Sequence, residues 1–289
     1  MRPVAAELDA VLADEPIDLA RGALAIARLE YPNLDPEPTL HVLDRLARQA
    51  TQRLAHASGS VRAQIAALNG VIFEDEGFAG NRTHYDDFRN SLLNVVIERR
   101  VGIPLTLALV YMEVARRAGV EVRGVAFPGH FLMRVPAVTA GGQGNDLILD
   151  PFDAGAERSQ GDCRALLARH LGHEDDESAP LDPALLHPCT PRHMLARMLN
   201  NLKRTYVELR SFPQARCATS LLLAVDPTRL SELRDRGLLA YHLDDFPAAL
   251  RDLGDYLRLN TWGDESAQGE RDQIRAHVKT LTRRVAGMN

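Results

Sequence analysis

The chain has 289 residues, 45 % of them apolar and 25 % charged, and a net charge of −5. Its length exceeds one ordinary domain of ~100–200 residues and its composition is globular, which excludes a largely disordered chain. No dense Lys/Arg block marks a nucleic-acid surface, Cys163, Cys189 and Cys217 form no CxxC pair, and no apolar run approaches the ~20 residues that span a bilayer.

An odd number of separated cysteines fits a reducing compartment, so the expectation is a soluble, cytoplasmic protein that binds neither membrane nor nucleic acid. The opening stretch, MRPVAAELDAVLADEPIDLARGAL, is interrupted by charge and does not read as a signal peptide. Apolar residues from Leu8 to Leu29 recur at helical spacing with a break near Pro16. Thr39 is expected to cap a helix running to Leu54, with Leu40, Leu43, Leu46 and Ala47 on one face. A further helix is expected over 61–73. A loop through Gly77-Phe78-Ala79-Gly80-Asn81 follows, where Gly80 and Asn81 suit positive φ.

The centre of the chain is the most informative part. Residues 90–100 read as a helix with Leu92, Leu93, Val96 and Ile97 inward and Arg99 and Arg100 near its C-terminal dipole. Gly102-Ile103-Pro104 ends it, and Pro104 suits the first position of the next helix, where its missing N–H leaves no bond unmade. From Leu105 to Ala115 that helix is apolar nearly all round, as a buried core helix is. Strands are expected over 120–125, 130–135 and 147–150, with a turn at Phe127-Pro128-Gly129 and a glycine-rich hairpin tip at 141–145. Helices followed by an antiparallel sheet give an α+β core.

The acidic run Glu174-Asp175-Asp176-Glu177 is expected to be a linker, which sets domains of 1–175 and 176–289. Beyond it the chain is helical and repeats: Phe212-Pro213-Gln214-Ala215 recurs as Phe246-Pro247-Ala248-Ala249, 34 residues later. That is the period of tetratricopeptide helix pairs, although two hairpins that merely share a Phe-Pro turn would look the same.

Among residues that carry chemistry, His130 and Asp150 stand out. On adjacent strands, Asp150 would hold one imidazole nitrogen and aim the other at a nucleophile, while the bland alternative is a satisfied structural histidine and an Asp-Pro turn. Asn94, Glu98, Arg99 and Arg100 precede the core helix and either line the same cleft as binding residues or cap and solvate their own helix. No HExxH, P-loop or GxGxxG occurs, and the scattered histidines, such as His170 and His187, lack metal-ligand spacing, so neither metal nor cofactor is expected.

Several segments together resemble a known family. Leu29-Glu30-Tyr31-Pro32, Gly77-Phe78-Ala79-Gly80-Asn81, Arg89-Asn90-Ser91-Leu92-Leu93-Asn94, Glu98-Arg99-Arg100, Gly102-Ile103-Pro104, Phe127-Pro128-Gly129-His130-Phe131 and Asp150-Pro151-Phe152 are similar to bacterial transglutaminase-like proteins with C-terminal tetratricopeptide repeats. That family includes members named for an association with regulation of invasion genes. The resemblance covers nearly the whole chain. It implies a transglutaminase-like, cysteine-protease-like core with an antiparallel sheet, a helical N-terminal region and C-terminal α-helical repeats. It places His130 and Asp150 at the triad His and Asp positions.

The resemblance puts the superfamily's catalytic Cys at or beside Pro104, and this chain has none there. Thr106 is the nearby hydroxyl on that helix start. In a protease of known triad chemistry, removing the nucleophile costs about a millionfold in turnover. Two functions are therefore expected. One is a non-catalytic scaffold that binds a protein or peptide partner through the helical repeats. The other is a hydrolase or acyltransferase on amide or ester bonds, with His130 as base, Asp150 as orienter and Thr106 or water as nucleophile. Oligomeric state is not legible.

Overall fold

In the computed structural model, which describes residues 2–139, 142–143, 146–172, 180–260 and 265–286, the chain divides into two units. One is Asp14–Leu195; the other joins Met1–Ala13 to Ala196–Asn289. The acidic run 174–177, the basis for a boundary between residues 175 and 176, lies outside the described residues, as do residues 141, 144 and 145 of the glycine-rich tip.

In the first unit, α2 (Leu19–Ala27) begins where Asp18 accepts the Arg21 N–H and buries eight of its nine residues. Helix α3 (Glu37–Leu54) starts two residues before Thr39, with Pro36 at its N-cap; Thr39 is instead a buried residue of its first turn. Pro38 is tolerated there because first-turn N–H groups have no intrahelical acceptor. After α4 (Val61–Asn69) the expected helix widens into a π-turn over Gly70–Asp75. Positive φ in the next loop falls at Gly77, not at Gly80 or Asn81; Ala79–Gly80 forms β1 and pairs in parallel with β2 (Val101–Gly102).

Between them the expected single helix is two pieces, a 3₁₀ turn at Phe88–Ser91 and α5 at Leu93–Arg99, which Arg100 ends at φ 59°. Pro104 does occupy the first position of α6 (Pro104–Arg117), and all but Met112 of its residues from Pro104 to Ala115 are buried. Helix α6 packs on α3 and on the sheet. That sheet has four antiparallel strands in the order β3 (Arg123–Val125), β4 (Leu132–Val135), β7 (Leu147–Asp150), β8 (Ala156–Arg158). A two-residue ribbon, β5 (Val138–Thr139) with β6 (Gly142–Gln143), extends the β4–β7 connection. Strand β8 and α7 (Gln160–Leu171) are additions to the expected elements. Ser159 and Asp162 cap α7 reciprocally, with Ser159 Oγ accepting the Asp162 N–H and Asp162 accepting the Ser159 N–H.

The second unit confirms the repeat. Helices α9 (Phe212–Val225) and α11 (Phe246–Leu259) both start at the Phe-Pro pair and have the same length. Each is preceded by a left-handed residue, Arg210 at φ 55° and Asp244 at φ 56°. Each turn is closed by an equivalent backbone bond, Ser211 N–H to Tyr206 O and Asp245 N–H to Ala240 O. Two Phe-Pro hairpins sharing only a dipeptide would not reproduce the preceding turn atom for atom. Helices α10 (Leu230–His242) and α12 (Glu265–Ala286) pack on α11, and α1 (Arg2–Ala13) packs on α9. α8 (Pro191–Glu208) carries the chain from one unit to the other. No helix among the described residues is long and apolar enough to cross a membrane.

Candidate functional site

Two turns bring His130 and Asp150 together. After β3, the Phe127 carbonyl accepts the His130 N–H at 3.1 Å across Pro128 and Gly129, with Gly129 at φ 66°. Proline in the second place and a positive-φ glycine in the third are what such a turn favours. The register Met133↔Leu149 of β4 with β7, extended past the strand ends, sets His130 beside the Asp150-Pro151-Phe152 turn. There Nε2 of His130 lies 2.9 Å from Oδ1 of Asp150. The His130 ring meets the Phe152 ring edge-on, 6.2 Å between centroids.

The Asp150 carboxylate is 3 % exposed and holds four donors. Oδ1 accepts from His130 and from the Phe152 N–H at 2.9 Å; Oδ2 accepts from Arg158 Nη2 at 3.0 Å and Nε at 3.3 Å. Burial alone pushes this carboxyl up, but the hydrogen bond and charge of His130, then Arg158 and the Phe152 amide, outweigh it and hold Asp150 below the usual carboxylate value. With an anion on Nε2, the proton of a neutral His130 sits on that nitrogen. Nδ1 then carries the lone pair, the tautomer a general base needs.

This pair lies in an open cleft of about 430 Å³. Its walls include Arg82, Tyr85, Phe152, Asp153, Arg158, Arg169 and His170. Arg82 stacks 5.0 Å from the Phe152 ring centroid, and Tyr85 meets the same ring edge-on at 5.9 Å. Sequence reasoning singled out Phe152 only within its motif and passed over Arg158, Tyr85, Arg82 and Arg169, because an isolated Arg or Tyr carries no spacing signal.

The other expected site residues do not line this cleft. Thr106 is fully buried: its hydroxyl accepts the Ile103 N–H at 3.2 Å and lies 2.7 Å from the Asn90 carbonyl, to which it donates. Its geometry is that of a helix cap. Arg99 pairs with Asp87 at 3.2 Å, and Arg100 pairs with Glu76 at 2.9 Å while stacking over Phe78. Glu98 is exposed, and Asn94 is half-buried with its side-chain oxygen unpartnered. None of the three cysteines lines the cleft. Cys163 is packed with Val125, Phe127 and Leu132, and burial pushes its thiol up to about 11, away from the thiolate that nucleophilic chemistry uses. Among the described residues no cluster of three or more His, Cys, Asp or Glu side chains is arranged to hold a metal.

The sequence has counterparts among known proteins. Residues 37–200 match the transglutaminase-like superfamily and residues 202–282 match tetratricopeptide repeats. A UPF0162 protein of Xylella fastidiosa is 37 % identical over 280 residues, 94 % of this chain and 93 % of that one. A UPF0162 protein of Pseudomonas aeruginosa is 39 % identical over 213 residues, 71 % of each chain. Human F-box only protein 21 is 30 % identical over 191 residues, 63 % of this chain and 28 % of that one.

Proposed function

We propose, for a chain that belongs to the transglutaminase-like superfamily and ends in tetratricopeptide repeats, that it is a non-catalytic scaffold that binds a protein or peptide partner. Tetratricopeptide helix pairs offer extended surfaces for such partners. The observation that carries the non-catalytic part is Pro104. At or beside the superfamily's nucleophile position stands a residue that begins α6 and brings no reactive atom. Thr106, two residues on, has its hydroxyl engaged by the Asn90 carbonyl and backbone of Ile103, and we leave it out of any chemistry.

The test is to capture a partner on the full chain, identify it, and rebuild the pair from purified components. The expected result is a stable pair whose partner keeps its intact mass. A partner recovered cleaved, or carrying a new bond that His130→Asn abolishes, would sink the scaffold reading.

A second reading rests on the 2.9 Å His130–Asp150 contact inside an open cleft. His130 Nδ1 takes a proton from water, the hydroxide adds to an ester or amide carbonyl, and the leaving group departs with a proton, which makes a hydrolase. Ester hydrolysis by the purified chain that disappears in His130→Asn would establish it. Equal rates in both proteins would retire it.

A further inference from the structure

We infer that the His130 cleft is a docking site for an acidic peptide segment of a partner protein, with an Asp or Glu side chain received between Arg82 and Arg169. The inference rests on the partner-binding reading above and adds to the repeats a contact in the transglutaminase-like region, with its chemistry.

Charge and shape carry it. The carboxylates of the cleft already have cations: Asp150 is held by His130 and Arg158, and Asp153 accepts from Arg158 Nη2 at 2.6 Å. Arg158 thus spends its Nε and Nη2 on the two carboxylates of the cleft. Arg82 and Arg169 have no carboxylate within ~3.2 Å among the described residues. Arg82 keeps 64 % of its side chain exposed; its Nη2 donates to the Phe152 carbonyl at 3.4 Å and reaches the Asp153 carboxylate at 3.5 Å, past the distance of a charge-assisted hydrogen bond. Arg169 is exposed in the last turn of α7 and has no acid opposite it among the described residues. The cleft therefore presents three arginines against two carboxylates, and two of those arginines have charge turned outward.

The ligand has to be more than a free anion. The lining adds two aromatic side chains, Tyr85 at 42 % exposure and Phe152, which give a flat apolar wall beside the cations. Arg, Tyr and Phe are the side chains enriched where proteins meet other chains. A cleft of about 430 Å³ falls in the ~300–1,000 Å³ range of small-ligand pockets and accommodates a few residues of extended chain. A peptide that sets a carboxylate on Arg82 or Arg169 and a neighbouring side chain on Tyr85 uses both features of the wall.

The experiment uses the full chain and three sets of fluorescein-labelled nine-residue peptides, alike except for two central positions occupied by Glu, Gln or Lys. Anisotropy is expected to show the Glu set binding about 10-fold tighter than the Gln set, with the Lys set weakest. Arg82→Gln with Arg169→Gln is expected to bring the Glu and Gln sets to within about 2-fold. Both side chains are exposed, and an unchanged melting temperature checks that the double variant is folded. Equal binding of Glu and Gln peptides overturns the acidic class and leaves partner binding standing. A Glu preference that survives the double variant overturns the cleft as its site. Free glutarate displacing the peptide at the peptide's own concentration overturns the peptide as ligand. If no peptide binds while a purified partner still does, the cleft inference fails and the scaffold reading does not.

Discussion

Arg158 and His130 share Asp150, one on each oxygen: Arg158 Nη2 lies 3.0 Å from Oδ2 and His130 Nε2 2.9 Å from Oδ1. A buried carboxylate with an arginine on one side stays ionised whatever the histidine does, so the orientation of His130 does not depend on its own charge. The folded-state pKa of Asp150 is depressed, so its contribution is complete above the unfolded carboxylate value of ~4 and is lost as pH falls through the lower folded value. Arg158→Gln is expected to lower the unfolding free energy at pH 7 by about 1.5–3 kcal/mol, the range for a hydrogen bond to a charged group. The difference from the parent should fade as denaturation is followed below pH 4. A loss that stays constant down to pH 2 would mean Arg158 acts by packing.

Gly80 and Phe152 set the other side of the site. A Cβ on Gly80 would stand 2.6 Å from Cδ2 and Cε2 of the Phe152 ring, inside any real carbon–carbon contact. That ring is also held by Arg82, Tyr85 and the edge of His130, so it has little room to retreat. Gly80→Ala is expected to destabilise the central unit by about 1–3 kcal/mol, the usual result of overpacking. The same substitution should shift the His130 and Phe152 ring resonances, which are remote from residue 80 in sequence. A wild-type spectrum and melting curve would contradict the packing argument.

What could be read from the sequence divides along one physical line. Features written in a local pattern were legible: the all-apolar α6, proline at its first position, the Phe-Pro repeat at 34 residues, and His130 and Asp150 through the motifs that flank them. The α+β class and the helical repeats followed from those, and the transglutaminase-like core from the family resemblance that the motifs carry. Features made by long-range contact were not. Arg158 reaches Asp150 only because β8 folds back on β7, and Arg82 stacks on the Phe152 ring 70 residues away in the chain. Asn94, Glu98, Arg99 and Arg100 looked like cleft residues because they precede α6 in the chain. The left-handed Arg100 and the β1–β2 pairing turn the segment elsewhere, and Arg99 and Arg100 meet Asp87 and Glu76.

Asp87 governs the acid limb of stability in that segment. Burial pushes its carboxyl up, but the Arg89 side chain and backbone N–H and the Arg99 side chain outweigh burial and bring it to about 2. Depressed below the unfolded value, it stabilises the fold above ~pH 4 and loses that effect between pH 4 and 2. Asp87→Asn is expected to cost on the order of 1–2 kcal/mol at pH 7, less than the full linkage value because its arginine partners are partly exposed. Parent and variant should converge near pH 2, and urea denaturation at pH 7, 4 and 2.5 measures this. Curves that run parallel at all three values would sink the assignment.

Two glycines in the repeats separate helix propensity from packing. Ala is favoured over Gly inside a helix by about 1 kcal/mol, so substitution at an open site should stabilise. Gly254 in α11 has nothing within 4 Å of its absent Cβ, and Gly254→Ala is expected to raise stability by about 0.5–1 kcal/mol. Gly237 in α10 is different: a Cβ there would lie 2.7 Å from Cγ of Leu253 and 3.2 Å from its backbone nitrogen. The ring of contacts around buried Leu253, with Tyr256 and Ile274, cannot yield without moving α11 away from α10. Overpacking of about 1–3 kcal/mol then exceeds the propensity gain, and Gly237→Ala is expected to be net destabilising by about 1–2 kcal/mol. Opposite signs for the two variants in parallel urea melts are the result this packing requires. If both stabilise, α10 and α11 are not in contact at Gly237 in solution.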